Sequence, residues 1–278
     1  MFAVATSAVV ARPSPDRALT LNPPKESLRD VDFAVLPSSS IEPATNAKRF
    51  SQGLPPMSPR KPYPKSGTRV AFAPRSKASP SLPIRKRCNI LVKEVDVNGT
   101  VFGFVSAAWN ILGEYGPVQP SQNGSLEISF SYSVDSLAHI NLLAVNGPSA
   151  KYPFIGGTLG FVSTNNDLSP GSYNYFYITG TTQTPHGSPP VEGDNNWFGD
   201  ATGIPKAAES AIWTYDPVTN YLSPQWVNTD GSTPTNYLIY ANDFNNAFVV
   251  TGDPVVFRET FGTPYPGVTF TCVPPKDA

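Results

Sequence analysis

The residues of this sequence that could do chemistry are few. Two histidines, four well-placed glutamates and a row of tyrosines stand out from a chain of 278 residues. Carboxylates come first, because glycoside hydrolysis needs only two carboxyl groups about 5–10 Å apart across a cleft. Glu114, Glu127, Glu209 and Glu259 are the candidates, and each is expected to be a surface residue. His139 lies in the apolar run Leu137–Leu143 and is expected to be a hydrogen-bonded structural histidine in a strand. His186 follows Thr184-Pro185 in a loop, where a solvated side chain is expected. The sequence has no Gly-x-Ser-x-Gly elbow, no His-Glu-x-x-His and no Cys-x-x-Cys, the spacings that mark a hydrolase nucleophile or a zinc site. Gly156-Gly157-Thr158-Leu159-Gly160 lacks the Lys-Ser/Thr ending of a phosphate loop. Asn165-Asn166-Asp167, Asp194-Asn195-Asn196 and the pairs Asn242-Asp243 and Asn245-Asn246 carry the oxygens that calcium wants. Asn and Asp are also ordinary turn formers. The reading is therefore no catalytic residue, no metal and no cofactor.

Tyr173, Tyr175 and Tyr177 alternate with Asn174, Phe176 and Ile178. On a strand the three tyrosines share one face. If Phe176 and Ile178 face the core, the tyrosines stand outside as a platform that could stack on sugar rings. The alternative is packing beneath the long Pro- and Gly-rich stretch Thr181–Gly203 that follows.

The elements that must position these residues lie in one half of the chain. From Arg12 to Arg87 there are fifteen Lys or Arg against five Asp or Glu; from Cys88 onward the balance reverses to five against sixteen. Fourteen of the 31 Pro lie between Pro13 and Pro83, while all four Trp and both Cys lie at or after Cys88. A Pro-, Ser- and Lys-rich segment with few large apolar side chains cannot offset its ordering entropy by burial. Residues 1–87 are therefore expected to be a disordered basic arm that does not dock, and 88–278 a single domain. Phe2–Ala11 has the length and small residues of a signal h-region but lacks a positive start. The basic charges are spread among Pro and Ser, with Phe33, Phe50, Tyr63 and Phe72 the aromatics between Arg12 and Arg87, beside an acidic domain, so a propeptide or spacer is expected rather than a nucleic-acid module. No run of apolar residues is long enough for a membrane-spanning helix.

Within 88–278, apolar and β-branched runs recur between turn sequences such as Asn146-Gly147-Pro148 and Ser169-Pro170-Gly171. Leu126, Ile128, Phe130 and Tyr132 alternate with Glu127, Ser129 and Ser131. Eleven such runs predict an all-β fold: an antiparallel β-sandwich, with a trefoil or barrel as alternatives. Ser106–Leu112 and Pro205–Ser210 are the stretches that could form short helical turns, and Thr251-Gly252-Asp253-Pro254 reads as a turn. Cys88 and Cys272 bracket the domain and are placed for a disulfide, which asks the first and last strands to lie side by side. Arg85-Lys86-Arg87 stands just before Cys88, and cleavage after Lys86-Arg87 in a flexible arm would free the domain. Asn98 and Asn123 are glycosylation sequons, each followed by Gly.

Gly113-Glu114-Tyr115-Gly116, Gly171–Tyr177, Glu209–Asp216, Gln225–Ser232 and the closing Val268–Cys272 together have a recognisable texture. Over roughly residues 88–273 they resemble secreted β-rich domains of filamentous, chiefly mushroom-forming, fungi that have no assigned activity. The resemblance implies an extracellular or cell-surface location and brings no catalytic residues. The functional expectation is a non-catalytic secreted or cell-surface glycoprotein domain, either binding carbohydrate, with polysaccharide or cell-wall glycan as the partner, or structural in the wall. The rivals are an extracellular glycan-active hydrolase and an intracellular protein with a basic interaction tail.

Overall fold

The computed structural model describes residues 19–28, 83–95 and 99–276. Among these, thirteen strands pair antiparallel in one continuous sheet. In chain order they are β1 Ile84–Glu94, β2 Val101–Val105, β3 Val118–Gln119, β4 Glu127–Tyr132, β5 Leu142–Ala144, β6 Phe154–Leu159 and β7 Tyr175–Thr181. Then come β8 Ala208–Glu209, β9 Trp213–Tyr215, β10 Tyr221–Pro224, β11 Tyr237–Ala241, β12 Ala247–Thr251 and β13 Val268–Val273. The main path across the sheet is β11-β12-β7-β6-β5-β4-β1-β13-β10-β9. It curls into a half-barrel. The edge strand β11 comes round to meet the entry to β13, where Ile239 bridges Gly267 and Tyr240 N donates to Pro266 O. The all-β antiparallel expectation holds, and the curl brings distant strands together as the two layers of a sandwich would. Phe248 of β12 meets Phe270 of β13 edge-on at 4.9 Å.

Period-two alternation builds the interior. Val268, Phe270 and Cys272 are buried on β13, and Ile128 and Phe130 on β4. β7 is different, being buried on both faces. Phe176 and Ile178 join the main core, while Tyr175 and Tyr177 join a second cluster with Phe198, Val249 and Phe257. On neighbouring β6 a side chain at Gly157 would strike the Phe176 and Trp226 rings, which stack 4.5 Å apart. Glycine there is the condition for that stack.

Two short helices cover the outer face of β7 and β12. The first, Trp197–Thr202, is capped by Asn196, whose side chain accepts from Gly199 N. The second, Pro254–Phe261, starts at Asp253, which accepts from Val255 N and Val256 N, and stops at Gly262 with φ 67°. Ser106–Leu112 and Pro205–Ser210 are not helical. Each borders or enters a short β pairing instead, and Asp253-Pro254 opens a helix rather than a turn.

Cys88 and Cys272 are bridged, with Cα atoms 5.4 Å apart on adjacent strands β1 and β13. The first and last strands of the sheet are therefore neighbours, as expected. The arm differs from expectation where it is described. β1 begins at Ile84, so Arg85-Lys86-Arg87 pair with Ser131, Phe130 and Ser129 of β4. Lys86 Nζ donates to Asn220 Oδ1 at 2.9 Å, and Arg87 forms an ion pair with Glu127. The proposed cut after Lys86-Arg87 would thus fall inside a hydrogen-bonded strand rather than a free tail. Residues 19–28 lie against the domain and end in a 3-10 turn, Lys25–Ser27. Phe2–Ala11 and Asn98 lie outside the described residues. No helix among the described residues is long and apolar enough to cross a membrane.

Candidate functional site

The site grows from one asparagine. Asn110 Oδ1 accepts from Leu112 N and Glu114 N at 2.9 and 3.0 Å, folding residues 110–114 into a tight loop. Gly113 has φ 76°, and a Cβ there would overlap the Trp197 ring. The loop delivers Glu114 and Tyr115 to the end of β12, where Tyr115 N donates to Ile178 O and Tyr115 O accepts from Phe248 N. Glu114 bridges Thr179 of β7 and so projects onto the face that carries Tyr175 and Tyr177.

Glu114 is fully buried. Its Oε2 accepts from Asn110 Nδ2 at 2.6 Å and from Asn22 Nδ2 at 3.1 Å. Oε1 has no hydrogen-bond partner among the described residues. Burial raises the carboxyl to about 8, against the two amide hydrogen bonds that lower it. The neutral acid therefore dominates at pH 7. Beside it, Tyr175 Oη and Tyr177 Oη both donate to the carbonyl oxygen of Leu21, the latter at 2.6 Å. Burial raises both phenols well above their ordinary value. The tyrosine row is thus not an outer platform. Tyr175 and Tyr177 are inside, and Tyr173 is half-buried against Phe261. The covering that was the alternative reading is present: Phe198 stacks on Tyr177 at 5.1 Å, and Phe257 meets Tyr175 edge-on at 5.5 Å.

Next to this buried group opens a cavity of about 830 Å³. Its walls come from residues 19–28 on one side and from Trp109, Ile111, Phe161 and Phe244 on the other, with Asn110, Asn245 and Asn246 between them. Phe244 is 85% exposed and Ile111 55% exposed, so the rim is apolar and open. That volume lies in the range of small-ligand sites, which combine apolar walls with a few placed polar groups.

The other candidate residues do not gather here. Glu209 is buried on the opposite face of the sheet: it pairs with Gly157, which pairs with Ile178, whereas Glu114 pairs with Thr179. Val227 N donates to both its oxygens, and burial raises it to about 9. Glu114 and Glu209 therefore do not face one another across a cleft. Glu127 is held by Arg87, and Glu259 is exposed. His139 sits at a bend with φ 54°, not in a strand, and its carbonyl accepts from His186 Nδ1 at 2.7 Å. The oxygen-rich turns spend their oxygens internally: Asn165 Oδ1 accepts from Asp167 N, and Asp243 accepts from Asn245 and Tyr265. No group of three or more metal-ligating side chains occurs among the described residues. Asn123 is exposed at a turn where Gly124 has φ 73°.

Sequence reasoning missed Asn22, Asn110 and Phe244. The spacing Asn110…Glu114 carries no periodic signal, and Asn22 stands in the arm that was expected not to dock. No protein-family model, curated protein or solved structure matches this chain.

Proposed function

We propose that this chain is a non-catalytic, extracellular or cell-surface binding domain, of the secreted fungal kind its strand motifs resemble, and that it takes a glycan in the cavity beside Leu19–Leu28. The observation that carries the reading is the cavity itself: aromatic and aliphatic rim residues with polar residues among its lining. A sugar ring has apolar faces, which suit an exposed Phe244, and a hydroxyl edge, which suits a partly polar lining. The Cys88–Cys272 bridge supports an oxidising compartment, and the exposed Asn123 supports a glycoprotein. The separation of Glu114 from Glu209 by the thickness of the sheet favours binding over two-carboxyl hydrolysis.

A glycan array and a hydrolase panel run on the full oxidised chain test the reading. A saturable glycan signal without turnover is expected. Turnover that Glu114→Gln abolishes would replace binding with catalysis. A native protein lacking a glycan at Asn123 and isolated from the cytosol would point instead to the intracellular reading.

A further inference from the structure

Residues 19–28 are held by contacts more like those of a ligand than those of a tail. Leu21 is 3% exposed, and its main-chain carbonyl receives both Tyr175 and Tyr177 hydroxyls. The side-chain amide of the next residue, Asn22, donates to Glu114 Oε2. Here two phenols and a carboxyl find partners in a backbone carbonyl and an amide, below the surface. The domain holds the floor from the other side: Phe198 and Phe257 pack on the tyrosine rings, and Asn110 holds the carboxyl.

We infer that the groove floored by Tyr175, Tyr177 and Glu114 is a peptide-binding site, and that Leu19–Leu28 is a tethered peptide that fills it in cis. This deepens the binding reading above and rests on it for its use, because the segment is also one wall of the glycan cavity. Covalent attachment makes the segment's binding intramolecular. A free peptide therefore competes poorly until the connection through residues 29–82 is cut. Cutting it converts a filled groove into an available one and enlarges the adjoining cavity.

The test uses the full chain with a specific protease recognition sequence inserted after Gly53. After cutting and separation of the N-terminal piece, a fluorescein-labelled peptide of residues 19–28 is titrated by anisotropy. The cut protein should bind it saturably, and the uncut protein at least about a hundredfold more weakly. The Tyr175→Phe/Tyr177→Phe double variant should weaken binding by about tenfold or more. A peptide carrying Asn22→Leu tests the same contact without altering the protein, and should also bind more weakly. A cut protein that stays folded yet binds no peptide overturns the inference. So does a cut protein that unfolds when the piece leaves, since the segment would then be part of the fold. Titrating the array glycan on the same cut protein separates the two readings. Peptide binding without glycan binding keeps this inference and retires the glycan; glycan binding without peptide binding does the reverse.

Discussion

Glu114 and Glu209 are two carboxyls whose burial favours the neutral form, and this gives the protein a pH signature. Both are raised from an ordinary 4.5, to about 8 and about 9. Unfolding returns each to water and to its ordinary value. Between pH 4.5 and about 8 the folded chain binds more protons than the unfolded chain, so stability falls as pH rises through that window and levels off above about 9. The slope is on the order of 1 kcal/mol per pH unit for each group. Glu114→Gln puts an amide of similar shape in place of the carboxyl and cannot ionise. Denaturant midpoints from pH 5 to 9 should fall clearly in the wild type and less steeply in Glu114→Gln; equal slopes would show that Glu114 is ionised in the fold. These burials were not legible in the sequence. A glutamate between glycine and tyrosine reads as surface, because the residues it meets in the fold, Asn22 and Thr179 among them, lie 92 and 65 positions away.

Strands were the most legible elements, because alternation and turn residues are local signals. The runs read at Val101–Val105 and Ala247–Thr251 coincide with β2 and β12. β7 shows the limit of the method. Period two placed Tyr175 and Tyr177 together on one face, but it could not say that this face is covered too. The helix Pro254–Phe261 was legible and misread. Asp before Pro is an N-cap followed by an N1 residue, and Gly262 is a C-terminal stop. Two-residue strands β3 and β8 carry too few residues for any pattern. The cap gives a prediction at this scale. Asp253 holds Val255 N and Val256 N and also accepts from Gly171 N at 2.9 Å. Asp253→Ala should cost about 1–2 kcal/mol in chemical denaturation, with Asp253→Asn costing less. A loss below a few tenths of a kcal/mol would mean that the helix is held by Phe257 alone.

For the whole molecule, charge and composition set the start of the domain at Cys88, and the first strand begins before it. The basic count ran through Arg87, yet β1 begins at Ile84, because exposed strand positions tolerate Arg and Lys as readily as an arm does. The cysteine pair was the best long-range signal available, and it joins the first and last strands of the half-barrel. Residues 19–28 were lost in a Pro-rich background, although Leu21 and Leu28 supply the apolar side chains that dock. Together these features describe a stapled sheet with a ligand-sized cavity that has an exposed phenylalanine on its rim. The most direct test of that account is the dissociation constant of the strongest array glycan for the wild type and for Phe244→Ala. Phe244 is nearly free of packing, so its removal should leave the melting temperature unchanged. Loss of ring stacking should weaken binding by about tenfold. An unchanged dissociation constant would contradict the assignment of the cavity as the ligand site.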